Sequence, residues 1–217
     1  MMVQKAGGGG LLPAEYQQVE YLQGNGTSTY INAGITYEEG IEVDIVLMMQ
    51  NPDNYRQLFG FDSGRTMSFF IGTIYEKSEM VGTTYGGSLS WYSTMEPRTI
   101  DGKLPIKYRM IARAYMTTFY NLTTFEEHSY GSGGIINAQG RPMLIFAQYN
   151  LYNRAGGFST GRIYSLIVRN IISNYTSREL IPCYRKVDLV AGMYDRVNGV
   201  FYTNAGTGSF IVGPDIN

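Results

Sequence analysis

Short β-like runs recur about every 8–15 residues along the chain, and turn residues separate them. The clearest runs are residues 29–35, 41–49, 57–61, 67–75, 88–92, 106–116, 143–149, 161–169, 199–203 and 209–212. Helical periodicity is nearly absent. Many short strands with almost no helix predict a β-sandwich, a barrel or a jelly roll. No repeat of about 40–50 residues is visible, which disfavours a propeller.

Apolar residues occupy every odd position of residues 41–47. A period of two predicts a strand with one face in the core and the other face at least partly solvated. Residues 106–114 alternate in the same way. The opposite face of that run carries Lys107, Arg109 and Arg113, which we interpret as a solvated sheet face.

The composition supports the same fold class. Of 217 residues, 19 are Tyr and 27 are Gly, only 16% are charged, and the formal net charge is −1. Strands favour aromatic residues and tight turns favour Gly, so this mixture predicts an all-β protein. Proteins that bind nucleic acids carry a basic excess or a basic stripe. We therefore expect no nucleic-acid partner.

The N-terminal segment carries four consecutive glycines at residues 7–10. Such a run behaves as a flexible tether, so residues 1–13 are predicted to be a flexible arm and residues 14–217 one domain. The segment lacks the apolar stretch of about 7–15 residues found in secretory signals. No apolar run approaches the ~20 residues that span a bilayer. We expect folding in the cytosol without membrane insertion.

Cys183 is the single cysteine, which forbids an internal disulfide. We expect it to be a small buried apolar residue rather than a reactive thiol.

Asn198-Gly199 lies between two β-like runs. Asn-Gly is the preferred pair of a two-residue type I′ turn, because both positions need positive φ. The sequence therefore predicts a tight hairpin here.

Residues 157–161 match the G-x-S-x-G nucleophile elbow of the α/β-hydrolases. That fold requires a helix after the Ser and a His later in the chain. Here the following segment is β-like, and the single histidine, His128, lies upstream. We interpret the match as chance.

No cofactor is predicted. A zinc site draws on several His and Cys ligands, whereas this chain has one of each. Calcium needs only oxygen ligands and remains an alternative. The loop residues that could supply such oxygens are Asp53, Asn54, Asp62, Asn150 and Asn153.

Glu42-Val43-Asp44 begins the E-x-D-x-E or E-x-D-x-x-E pattern of the catalytic strand in β-sandwich glucanases. The second catalytic carboxylate would stand at Val46 or Leu47, and both are apolar. A two-carboxylate mechanism needs both groups. We therefore predict that the protein is not an enzyme and interpret Glu42 and Asp44 as part of a solvated face. A degenerate glycoside hydrolase is the less favoured alternative.

Both ends of the predicted domain resemble a pattern found in phage and prophage proteins of gut bacteria. The matching segments are residues 12–27 (LPAEYQQVEYLQGNGT), 30–35 (YINAGI), 143–147 (MLIFA), 161–166 (GRIYSL), 180–185 (LIPCYR), 190–195 (VAGMYD) and 198–210 (NGVFYTNAGTGSF). In that family the pattern opens and closes a concanavalin A-like, laminin G-like jelly roll. The resemblance implies an all-β jelly-roll sandwich of two antiparallel sheets and carries over no catalytic residue.

The resemblance also implies a place on a virion protein, as a capsid decoration, a head fibre or a tail appendage. The expected partners are other virion proteins, contacted through the N-terminal arm. A homo-oligomer is expected as well, with a trimer favoured. The expected location is the virion, assembled in the host cytoplasm. The alternative is a carbohydrate-binding adhesin module on the surface of a gut bacterium.

Surface glycans of the host are the ligands that such a module would take. Aromatic rings stack on the C–H faces of sugars, while Asn, Asp and Arg bond the hydroxyl groups. The candidate binding residues, in or beside loop-like segments, are Trp91, Tyr92, Tyr149, Asn150, Tyr152, Asn153 and Arg154. Each aromatic in this set has a second explanation as a core or cross-strand residue. An architectural role without any glycan ligand stays open.

Overall fold

The computed structural model describes residues 12–48, 56–62, 67–74, 77–85, 88–93, 106–113, 116–123, 125–131, 141–149 and 154–216. The regular structure within these residues consists of β-strands. In chain order they are β1 (Tyr16–Gln18), β2 (Leu22–Gln23), β3 (Ile31–Thr36), β4 (Ile41–Met48), β5 (Arg56–Asp62), β6 (Met67–Ile74), β7 (Lys77–Tyr85), β8 (Ser88–Ser93), β9 (Ile106–Arg113), β10 (Met116–Asn121), β11 (Glu126–Gly131), β12 (Pro142–Ile145), β13 (Gln148–Tyr149), β14 (Ala155–Gly156), β15 (Arg162–Asn170), β16 (Tyr175–Arg185), β17 (Ala191–Asp195), β18 (Val200–Thr203) and β19 (Ile211–Val212).

The strands form two large antiparallel sheets and one small hairpin. The larger sheet has the order β11-β10-β9-β4-β15-β16-β17-β18, with β1 paired to β16, and with β2 paired to both β15 and β19. The second sheet has the order β3-β12-β5-β6-β7-β8, and β13 pairs with β14. The chain crosses repeatedly from one large sheet to the other, as in jelly-roll sandwiches. The predicted all-β sandwich of two antiparallel sheets is confirmed.

Each large sheet buries one apolar face in a common core. On β3, Ile31, Ala33 and Ile35 are buried and alternate with exposed residues. On β4 the odd positions of residues 41–47 are completely buried. Full burial of one such aliphatic side chain contributes about 1.5–3 kcal/mol. The alternation in the sequence thus predicted the core face of β4 correctly.

On the opposite face of β4, Val46 and Met48 are half-buried, but the prediction that Glu42 and Asp44 are solvated is wrong. Glu42 and Asp44 are only 8% and 5% exposed. The reason is that Arg109 from β9 and Arg169 from β15 flank β4 and bind both carboxylates. Arg109 is accordingly half-buried rather than free in solvent. The ion pairs to Arg109 and Arg169 therefore exclude most of the solvent from Glu42 and Asp44.

The two ends of the described chain lie side by side. Strand β1 pairs with β16, and β2 pairs with β19. An isolated bridge joins Val19 to Asp215, and Gln17 Nε2 donates a 2.9 Å hydrogen bond to the carbonyl of Ile216. Two resembling segments, residues 12–27 and 180–185, are therefore neighbours in the larger sheet, while residues 30–35 and 143–147 are neighbours in the second sheet.

The Asn198-Gly199 hairpin is present, but its turn is longer than predicted. Asp195 pairs with Val200, so four residues form the loop. Gly199 has φ +70°, while Asn198 is not among the residues with positive φ. The Asp195 carboxylate binds the backbone N–H of Val197 and the Asn198 side chain, which favours this wider loop over a type I′ turn.

Candidate functional site

Trp91 and Tyr92 lie in a strand rather than in a loop. They belong to β8, the edge strand of the second sheet, where Trp91 pairs with Gly82 and Tyr92 with Val81. This position agrees with the predicted run at residues 88–92, and the predicted role of the pair in binding stays a prediction.

Tyr149 and Arg154 lie at the β13–β14 hairpin. Tyr149 pairs with Ala155, and Gln148 pairs with Gly156. Tyr149 is half-buried and Arg154 is exposed. Asn150, Tyr152 and Asn153 fall outside the described residues, so their predicted role stays a prediction. Two of the candidate residues thus flank one short hairpin.

The structure does not bring the two groups of candidates together. The β13–β14 hairpin packs beside β5, whereas Trp91 and Tyr92 are on β8. Three strand spacings separate β5 from β8 in the second sheet, which amounts to about 14 Å. Only the hairpin holds a compact set of predicted residues.

Gln148 is a residue of this hairpin that the sequence did not single out. Its Oε1 atom is buried and has no hydrogen-bond partner. Opposite it, a Cβ atom added to Gly156 would meet nothing within 4 Å. A glutamine beside an apolar run carries no signal of this kind in sequence. The hairpin thus combines an unpaired amide oxygen with open space across the ladder.

A second polar feature lies on the outer face of the larger sheet. Asp44 is directly opposite Arg109 in the β4–β9 ladder, and Glu42 is directly opposite Arg169 in the β4–β15 ladder. Arg109 Nε and Nη2 donate to the two Asp44 oxygens at 2.6 and 2.9 Å. Arg169 Nη1 donates to Glu42 Oε1 at 2.9 Å and to Asp44 Oδ2 at 2.7 Å. We call these four residues the charged cluster.

The charged cluster holds Asp44 in its ionised form. Burial alone would raise the pKa of Asp44, but hydrogen bonds from Arg109 and Arg169 outweigh burial and lower that pKa. The hydrogen bond to Asp44 likewise raises the pKa of Arg109. A general acid in glycoside hydrolysis needs a raised carboxyl pKa. Asp44 is tuned in the opposite direction, so its arrangement suits a structural ion pair.

Ser159 has no features of a nucleophile. It is 1% exposed, and its hydroxyl oxygen accepts a 3.0 Å hydrogen bond from the Gly161 N–H. Strand β15, not a helix, follows it. The G-x-S-x-G match is therefore not a nucleophile elbow.

Cys183 is buried as predicted. Burial raises the pKa of its thiol to about 12. The thiol is neutral at physiological pH, which is the opposite of an activated nucleophile.

Two loops from the resembling segments interlock at one end of the sandwich. Asn25 Oδ1 accepts hydrogen bonds from the backbone N–H groups of Thr27, Ser28 and Thr29. Asn204 Oδ1 accepts from the N–H of Tyr30, and Ser28 Oγ donates to the carbonyl of Thr207. These side chains bind the backbone of the two loops, so their role in the structure is to hold the loops together.

Three motif aromatics from both chain ends pack together on the outer face. The ring of Tyr16 lies 5.0 Å from that of Tyr194 and 4.9 Å from that of Phe201, measured between centroids. Tyr194 and Phe201 are cross-strand partners. Tyr16 thus packs against a cross-strand pair of aromatic residues, which stabilises the sheet at this point.

No group of three or more His, Cys, Asp and Glu residues in the described ranges has a metal-binding arrangement. No helix in the same part of the chain has the length and apolar character to cross a membrane.

Comparisons with known proteins give distant structural similarities. No protein-family model matches the chain, and no curated protein matches it. Full-length tailspike protein 2 of Escherichia coli O157:H7 bacteriophage CAB120 is 12% identical, with a TM-score of 0.39 over 72% of this chain and 26% of that chain. The enzymatically active domain of bacteriophage CBA120 tailspike protein 2 is 12% identical, with a TM-score of 0.39 over 76% of this chain and 30% of that chain.

A heptameric SAP-like pentraxin from Limulus polyphemus is 10% identical, with a TM-score of 0.44 over 91% of this chain and 89% of that chain. The chain spans less than a third of the two tailspike chains that it matches. At these TM-scores the similarities support no inference about function.

Proposed function

We propose that the chain is a non-enzymatic module of a phage virion that attaches to neutral glycans on the host surface through the β13–β14 hairpin. The observation that carries the glycan-binding part is the hairpin itself, where Tyr149 and Gln148, whose Oε1 atom has no hydrogen-bond partner, are adjacent in β13 and Arg154 directly precedes β14. Sugar recognition uses such a combination of an aromatic ring with hydrogen-bonding groups.

The charged cluster supports the non-enzymatic part of the proposal. Both carboxylates on β4, the strand that resembles the catalytic strand of glucanases, are bound by arginines. Neither is left to donate a proton or to attack an anomeric carbon.

The virion context is supported by the resemblance of the two chain ends to phage and prophage proteins. In this context the domain is displayed on the particle as an oligomer, and the N-terminal arm contacts other virion proteins. An adhesin on a bacterial surface is the second context for the same domain.

A glycan array tests the binding activity. Purified chain on an array of bacterial polysaccharides and lipopolysaccharide O-chains is expected to give signal, and Tyr149→Ala or Arg154→Ala should lower it at least 10-fold. Tyr175→Ala is the matched control, because Tyr175 is an exposed tyrosine at the start of β16, outside the hairpin. Silence of the wild-type protein across the array would remove glycan binding and favour a purely architectural role.

A separate experiment tests the virion context. Deleting residues 1–10 should prevent incorporation of the chain into phage particles while the purified domain still folds. Particles that contain the truncated chain at the normal level would contradict the role of the arm.

A further inference from the structure

We infer that the face of the β13–β14 hairpin that carries Gln148 and Gly156 is a subsite for a hydroxyl group of a neutral sugar, bonded by the Gln148 side-chain amide. The inference rests on the proposed function. It names the face of the hairpin and the side chain that contact the ligand.

The first observation is the unpaired Gln148 amide. Its Oε1 atom is buried and unbonded. In native structures the large majority of buried side-chain polar atoms have a hydrogen-bond partner, so each exception needs a reason. Within the described ranges the other side-chain atoms in this condition are Arg141 Nη1 and Arg196 Nε, and neither lies in the hairpin. A ligand hydroxyl group would supply the hydrogen-bond partner that Gln148 Oε1 lacks.

The chemistry of the amide matches a hydroxyl group. An amide offers one acceptor oxygen and two N–H donors, while a hydroxyl both donates and accepts. The terminal torsion of a Gln side chain has a broad, shallow profile, and no hydrogen bond to Oε1 fixes the orientation of the Gln148 amide. A small rotation therefore presents either the oxygen or the nitrogen to a ligand.

The second observation is the open space at Gly156. Gly156 stands directly opposite Gln148, so the two positions share one face of the ladder. A Cβ atom there would meet no atom within 4 Å, and the φ angle of Gly156 is not in the positive range. The backbone conformation therefore does not require glycine. What glycine provides at this position is room beside the amide.

The third observation is the division of the hairpin into two faces. Successive residues of a strand point to opposite faces, so Tyr149 and Ala155 share the face away from Gln148. The Gln148 side chain is therefore on the side of the hairpin that has the open space at Gly156.

Two substitutions on this face test the subsite. Gly156→Ala fills the space, and Gln148→Met keeps the side-chain length without its polar atoms. Each is expected to weaken binding at least 10-fold, in calorimetric titration with the polysaccharide that gives the strongest array signal. Neither should lower the Tm, because Ala fits the backbone at Gly156 and Met removes an unpaired buried oxygen. Ala155→Ser on the other face is the control and should keep wild-type affinity and Tm.

The outcomes separate the subsite from the proposed function. If both variants bind like wild type while Tyr149→Ala does not, the ligand uses the other face, and the inference is wrong although the proposed function stands. A Tm loss of several degrees in Gln148→Met would mean that the amide has a structural partner, which also overturns the subsite. A silent array for the wild-type protein removes the proposed function and the subsite together.

Discussion

Arg109 donates two hydrogen bonds to Asp44, its directly opposite neighbour in the β4–β9 ladder. Asp44 also receives a bond from Arg169 on the other side, so strands β9, β4 and β15 are joined by side chains as well as by their backbones. The charged cluster thus lies across the middle of the larger sheet, and its loss should weaken the whole sandwich.

Asp44→Asn is expected to destabilise the fold by about 2–4 kcal/mol, because it leaves two arginines without their main acceptor. We expect a loss of stability near the lower limit of this range. The Arg109 and Arg169 side chains are 34% and 32% exposed, so water can hydrate them in part when the carboxylate is removed. Urea denaturation measures it as a lower midpoint with an unchanged m-value. Asp188→Asn in the exposed Arg185–Asp188 pair is the control and should change the midpoint little. Equal midpoints for Asp44→Asn and wild type would contradict the role of the cluster.

The contribution of Asp44 should depend on pH. Its pKa in the fold lies below its ordinary value of 3.8, so the stabilisation is fully present above that value and is lost as the pH falls through the lower folded pKa. The Tm difference between wild type and Asp44→Asn is therefore expected to be constant from pH 7 to about pH 5 and to shrink below about pH 4. Scanning calorimetry between pH 7 and pH 2.5 measures this difference. A difference that does not change with pH would mean that the charge of Asp44 is not what stabilises the sheet.

Cys183 should be unreactive in the native protein. It is buried, and burial raises its thiol pKa to about 12, so the thiolate population at pH 8 is very small. A colorimetric thiol reagent at pH 8 should detect no thiol in buffer and one thiol per chain in 8 M urea. Fast labelling of the folded chain would show that β16 opens locally far more often than its pairing on both sides suggests.

Asn25→Ala should cost about 1–3 kcal/mol, since it leaves the N–H groups of Thr27, Ser28 and Thr29 without their acceptor. Asn32→Ala is the matched control: Asn32 makes a similar contact to a single N–H, that of Gly34, in an exposed position. Chemical denaturation of both variants should show a clearly larger loss for Asn25→Ala. A loss of equal size in both would indicate that the interlocked loops contribute little to stability.

The sequence predicted strands best where one face enters the core. Predicted residues 41–49 correspond to β4 (Ile41–Met48), because period-two alternation reports its buried face directly. The run at residues 143–149 is two strands, since Phe146 adopts φ +66° between β12 and β13. Side-chain patterns give no warning of a left-handed residue that is neither Gly nor Asn.

Strand β16 was not among the runs found by alternation, although it has 11 residues. Pro182 within it argues against a central strand, because proline cannot donate a ladder hydrogen bond. The structure accommodates it where β16 changes partner: β15 pairs with it up to Leu180, and β1 pairs with it from Cys183 onward. The carbonyl of Pro182 still accepts from the Val19 N–H in this gap. Only the tertiary arrangement of three strands reveals that exception.

The candidate site was predicted in part. The hairpin at Tyr149 and Arg154 follows from aromatic and polar residues beside a β-like run, whereas the burial of Glu42 and Asp44 depends on arginines 65 and 125–127 positions away in the chain. The unpaired state of Gln148 depends on what surrounds it in space. Neither property is encoded in a local pattern.

Gln17 and Ile216 are adjacent in space, so the two ends of the described sandwich are close to each other. Two ends that leave a sandwich side by side need little linker to rejoin, which is the geometry that allows a domain to be inserted into a surface loop of a host protein or to be circularly permuted. The larger sheet would stay closed in either arrangement, because strands β1 and β2 are held by β16, β15 and β19 rather than by the peptide bond that precedes them. A permutant opened between Val197 and Asn198 and joined through a short Gly-Ser linker is therefore expected to keep the fold.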